Sequence, residues 1–79
     1  MNEDDDLRRL SWVRALCASG AAEGIRVGPN LTLREVAADV HVSAATVHRW
    51  ETGSAKPTGP RALAYAKALE RIGGRRRVA

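Results

Sequence analysis

Residues Leu31 to Pro57 read LTLREVAADVHVSAATVHRWETGSAKP, and the spacing within them decides the fold. Thr32 and Glu35 stand at capping-box spacing: the hydroxyl accepts from the amide three residues on, and the carboxylate reaches back to the threonine amide. A helix therefore starts immediately after Thr32. Leu33, Val36, Ala37 and Val40 follow the three-and-four spacing of a buried stripe, and Ala37 is small where a second helix must cross closely. His41-Val42 turns the chain and Ser43 caps the next helix. In that helix Val47 and Trp50 share the inward face, which leaves Ala44, Ala45, His48 and Arg49 outward or at the leading end. The unit, over about residues 32–52, is two helices crossing through a short turn.

On the C-terminal side, Thr52 to Gly59 has loop composition, with Gly53 placed for the left-handed residue that ends a helix. Pro60 suits a first helical turn, where its missing amide hydrogen costs nothing. The segment RALAYAKALERI then predicts a closing helix whose stripe is Ala62 or Leu63, Ala66, Leu69 and Ile72 or Gly73. Gly73-Gly74 ends it, and residues 73–79 form a flexible basic tail carrying Arg75, Arg76 and Arg77.

On the N-terminal side, residues 1–6 form an acidic cap segment in which Asp6 serves as N-cap to a helix starting at about Leu7. Leu7, Leu10, Val13 or Arg14, and Cys17 give that helix its stripe, with Leu16 widening it and Arg8, Arg9 and Arg14 mostly off it. Trp12 lies off the stripe's centre, either as a flank of the core or as an exposed anchor for a partner chain. Ser19-Gly20 breaks the helix, a weak second one spans Ala21 to Arg26, and Gly28-Pro29-Asn30 leads into the central motif.

A chain of 79 residues makes one small domain, here residues 7–72. Aromatic residues are only 4% and phenylalanine is absent, so the core is built from Leu, Val, Ile and Ala, which suits closely packed helices. Cys17 stands alone and no Cys/His cluster has metal-ligand spacing, so neither an internal disulfide nor a metal site is expected. From Leu7 onward there are 13 basic against 5 acidic residues, an excess that favours a polyanionic partner, nucleic acid before an anionic membrane. No apolar run approaches the roughly 18 residues of a membrane span and the N-terminus lacks a basic signal region, so a soluble, cytoplasmic protein is expected. Catalytic residues are also missing: His41 and His48 fall on different elements without acidic or cysteine partners, and no Ser/His/Asp or paired-carboxylate arrangement is present. An enzyme is not expected, nor a cofactor or small-molecule ligand.

The combination of LTLREVA, VSAATVHRWETG, a following KP and an Ala/Leu-rich closing helix resembles the helix-turn-helix family of phage repressors and Cro proteins, the Xre family, over about Ser19 to Ile72. The resemblance implies an all-α, four- to five-helix, lambda-repressor-like domain that binds double-stranded DNA as a transcriptional regulator. Its recognition helix, about residues 43–52, would lie in the major groove, and most members act as homodimers on half-sites about one helical turn apart. Carried over by position, the base contacts are Ala44, Ala45, Thr46 and Arg49. Arg49 can pair in bidentate fashion with guanine, worth about 1–3 kcal/mol of discrimination, whereas the alanines can only pack on a thymine methyl or admit the backbone. Thr32, Arg34, Ser43, His48, Lys56, Arg61 and Arg75 to Arg77 are the phosphate candidates, Ser43 and Thr46 from a helix N-terminus that itself favours anions.

Two departures stand out. The family commonly has glutamine where this chain has Leu33, so Arg34 is left to make that phosphate contact. The chain also ends in GGRRRVA, where the family often continues into a further helix used for dimer contacts. Residues 7–18 are the candidate replacement, for dimerisation or for completing the core. Two other classes share parts of the pattern. An excisionase or MerR-like winged helix would need a β-hairpin after the recognition helix, where residues 58–72 have helical periodicity instead. A helical protein-interaction regulator would not read DNA and would show little salt-dependent duplex binding.

Overall fold

Thr32, Ser43 and Gly53 lie at helix ends as the sequence reading predicts. The computed structural model describes residues 3–74. Among them it holds α1 (Glu3–Ser19), α2 (Ala21–Val27), α3 (Leu33–Val40), α4 (Ala44–Thr52) and α5 (Gly59–Leu69), followed by a wider π-type turn over Glu70–Gly74. Thr32 and Glu35 form the complete capping box at the start of α3, with the Glu35 amide 3.0 Å from Thr32 Oγ1 and the Thr32 amide 2.8 Å from Glu35 Oε1. His41 ends α3 at φ 64°, a left-handed conformation uncommon for a residue with a side chain. Pro60 sits in the first turn of α5.

α1 lies along α5 and against α2, while α3 packs on both α4 and α5. The core between them is Val13, Cys17, Ala22, Val36, Ala37, Val40, Val47, Trp50, Tyr65, Ala66, Ala68 and Leu69. Each fully buried valine in it contributes about 1.5–3 kcal/mol. Ala37, Ala66 and Ala68 leave room for close helix approach, so small side chains replace the missing phenylalanines. Trp12 and Leu33 are half-buried against this core; for Trp12 that is the flank position.

Four expectations change. α1 is already helical at Glu3 rather than starting at about Leu7, so Asp6 lies within the helix and is not its N-cap. Leu7, expected in the stripe, is 62% exposed at the outer end of α1. Arg9 and Arg14 are part-buried instead of lying off the packing face: Arg9 Nε pairs with Glu70 at 3.1 Å, and Arg14 Nε donates to the Pro57 carbonyl at 3.0 Å. The closing helix is regular only to Leu69, although Ile72 still packs on the core from the π-type turn, and Tyr65, absent from the predicted stripe, is among the largest fully buried side chains. No strand occurs among the described residues, and α5 stands where a wing would be, which removes the winged-helix alternative. Arg75, Arg76 and Arg77 lie outside the described residues.

Candidate nucleic-acid interface

α4 is held at both ends and along its inner face. At the leading end Ser43 Oγ accepts from the Thr46 amide at 3.1 Å. At the trailing end Gly53 adopts φ 80°, a value a side chain would strain, and the amides of Gly53 and Ser54 turn back onto Trp50 O at 3.2 Å and Arg49 O at 3.0 Å. The loop beyond is anchored by the buried Pro57, whose carbonyl Arg14 of α1 holds. Inward, Val47 and Trp50 are buried, and the Trp50 ring lies 4.7 Å from Tyr65 at 33°.

The strongest brace was not predicted. Glu51 is buried, its side chain 3% exposed, and forms a two-pronged pair with Arg26 of α2, itself 12% exposed, at 2.6 Å from Nε and 3.0 Å from Nη2. Arg26 Nη1 also donates to the Leu31 carbonyl at 2.9 Å, so one guanidinium joins α2, the entry to α3 and the end of α4. The hydrogen bond to Glu51 holds the Arg26 pKa above its already high ordinary value. A sequence signal for Glu51 existed: with Val47 and Trp50 it occupies i, i+3 and i+4, one helical face. Nothing local pairs it with Arg26, which is distant in sequence.

Behind Trp50 the Tyr65 hydroxyl is buried beside the Cys17 thiol and makes no hydrogen bond of good geometry. Burial pushes the Cys17 thiol up to about 11 and raises the Tyr65 phenol as well.

The predicted contact residues fall into distinct groups. Ala45, His48 and Arg49 are exposed on α4 and Ser43 at its cap, whereas Thr46 is half-buried and Ala44 leans into the core. Ser43, Thr46 and Arg49 are brought together, with Ser43 Oγ and Thr46 Oγ1 at 3.0 Å and Arg49 Nη2 donating to Thr46 Oγ1 at 3.4 Å. Arg34 on α3, Lys56 in the loop after α4 and Arg61 in the first turn of α5 are all exposed. Thr32 differs from them: its hydroxyl accepts from the Glu35 amide and lies 3.1 Å from Glu35 Oε1, to which it donates, so it has no hydrogen left for a phosphate. The Thr32 amide and hydroxyl hold the exposed Glu35 carboxyl below its ordinary pKa, and that negative charge lies beside the threonine.

A family model described as helix-turn-helix matches residues 25–72, more than half of the chain and a span that includes both Arg26 and Glu51. The chain belongs to the Xre/lambda-repressor-like helix-turn-helix family. No curated protein and no solved structure matches it significantly. Membership supports a DNA-binding regulator, in a family that is not typically enzymatic. Among the described residues no group of His, Cys, Asp or Glu could hold a metal ion, and no helix is long and apolar enough to cross a membrane.

Proposed function

We propose that the protein is a sequence-specific, double-stranded-DNA-binding transcriptional regulator of the Cro or repressor type, acting in the cytoplasm by occupying an operator. α4 enters the major groove and Arg49 reads a guanine; Ala45 approaches a base or thymine methyl, with Ala44 contributing only its exposed edge. Ser43, His48, Arg34, Lys56, Arg61 and the tail arginines contact phosphates. The observation that carries this reading is the state of α4: capped, buried on one face and cross-braced to α2, while Ala45, His48 and Arg49 stand exposed on the other. A helix held in this way presents a fixed surface, as readout of base edges requires. Homodimerisation on paired half-sites about 34–36 Å apart supplies the affinity that one small domain lacks, and the exposed outer end of α1 at Leu7 leaves an apolar surface for it.

Selection of binding sites from random duplexes at two salt concentrations tests the reading. Enrichment of a discrete, two-fold-symmetric sequence is expected, with log affinity falling linearly against log salt. Arg49→Ala should relax preference at one base position, whereas removing Arg75 to Arg77 should weaken all duplexes alike and flatten the salt slope. Absence of both enrichment and salt dependence would instead support a protein-interaction module.

A further inference from the structure

Arg49 is the long, donor-only side chain at the exposed end of a three-member hydrogen-bonded series. A guanidinium has no acceptor, so Arg49 Nη2 donates to Thr46 Oγ1. Ser43 Oγ already accepts from the Thr46 amide. The remaining contact, Ser43 Oγ to Thr46 Oγ1 at 3.0 Å, has no direction set by heavy-atom positions alone. Thr46 Oγ1 keeps a second lone pair beside the one Arg49 uses, and Ser43 Oγ keeps its own hydrogen, so either hydroxyl can donate across that contact. In either direction Thr46 Oγ1 is the middle member, bonded to Ser43 on one side and to Arg49 on the other.

We infer that Thr46 is a positioning residue for Arg49: its hydroxyl, held by Ser43, tethers the guanidinium along the reading face of α4 before DNA arrives, and does not itself read a base. This rests on Arg49 reading DNA as proposed above, and it changes the role that sequence position alone gives Thr46. Holding a rotamer-rich side chain in advance spares its ordering on binding, an effect of about two- to tenfold in affinity. The half-buried setting of Thr46 fits the role, because a side chain turned partly toward the protein is a better tether than a probe of the groove.

The test uses the full chain and the operator obtained by selection. Thr46→Val keeps the shape and the Ser43-to-amide cap but removes the hydroxyl. It should weaken operator binding about two- to tenfold, and lower discrimination only at the base pair Arg49 reads. Thr46→Ser should restore both. In an Arg49→Ala background Thr46→Val should have no further effect. If it still weakens binding there, Thr46 touches DNA itself and the inference is overturned. A measurement without DNA separates this from the functional reading: nitrogen relaxation of the arginine Nε–H groups should show Arg49 more restricted than the exposed Arg34, and Thr46→Val should release Arg49 alone. Equal mobility of Arg49 in wild type and Thr46→Val overturns the tether whatever the DNA result. A restricted Arg49 with no selective duplex binding overturns the reading of DNA and leaves the tether standing.

Discussion

Replacing Glu51 with glutamine keeps the side chain's shape and removes its charge, leaving the largely buried guanidinium of Arg26 without its paired carboxylate. Two charge-assisted hydrogen bonds, at 2.6 and 3.0 Å, are weakened or lost. At about 1.5–3 kcal/mol each they set a scale of roughly 3–6 kcal/mol, in line with the about 3–5 kcal/mol for removing one partner of a buried pair. Against a total stability of about 5–15 kcal/mol for a folded domain, that is a large share. At about 4–8 °C per kcal/mol, the melting temperature should fall by well over ~10 °C. Removing both partners, as Arg26→Met with Glu51→Leu, should recover most of the loss because neither charge is then stranded. Recovery should stop about 1 kcal/mol short, since the Leu31 carbonyl also loses its bond from Arg26. Urea unfolding followed by tryptophan fluorescence reports this directly, Trp50 lying beside the pair in sequence and in the core. The control is Asp39→Asn, which breaks the exposed pair with Arg71 and should cost no more than about 1 kcal/mol. If Glu51→Gln costs no more than that control, or the double variant is as unstable as the single, the assignment of the pair as the principal brace of α4 is wrong.

His41→Gly should stabilise the domain. The left-handed backbone costs a residue with a side chain about 1–2 kcal/mol, glycine's extra chain entropy returns about 0.5–1, and the net gain of about 0.5–1 kcal/mol should raise the melting temperature by about 2–8 °C; no rise would show that the turn is not strained. Tyr65→Phe removes a buried hydroxyl that lacks a good partner, so stability should hold or rise by up to about 1 kcal/mol in the same urea assay, and a clear loss would reveal a bond to Cys17 stronger than the geometry shows. Cys17, pushed up to about 11 by burial, should resist iodoacetamide at neutral pH until denaturant opens the core; native alkylation at the rate of a free thiol would contradict that packing. Glu35 has a depressed folded pKa, so its contribution is present above the ordinary carboxylate range and lost as pH falls through the folded value. Acid unfolding of Glu35→Gln should therefore be shallower than that of wild type, and identical profiles would argue against the capping box.

The helix-turn-helix and its limits were legible from Thr32, Glu35, Ser43 and Gly53 because capping is local chemistry: donor and acceptor lie within a few residues, and each choice at those positions satisfies an amide or carbonyl that a helix end leaves open. The stripe of α3, and Val47 and Trp50 on α4, were legible for the same reason, since a helix's period is short enough to read in its own sequence; Ala44, expected outward or at the leading end, and Glu51 also lie on the covered side of α4. The helical state of residues 3–6, the exposure of Leu7 and the burial of Tyr65 were not legible, because amphipathic spacing says which face is apolar and not how far a helix extends beyond it or a neighbour covers it. Tertiary structure alone decided that Arg26 serves Glu51 and that Arg14 holds Pro57. Both join residues far apart in sequence, and the periodicity of one helix carries no information about its distant partners.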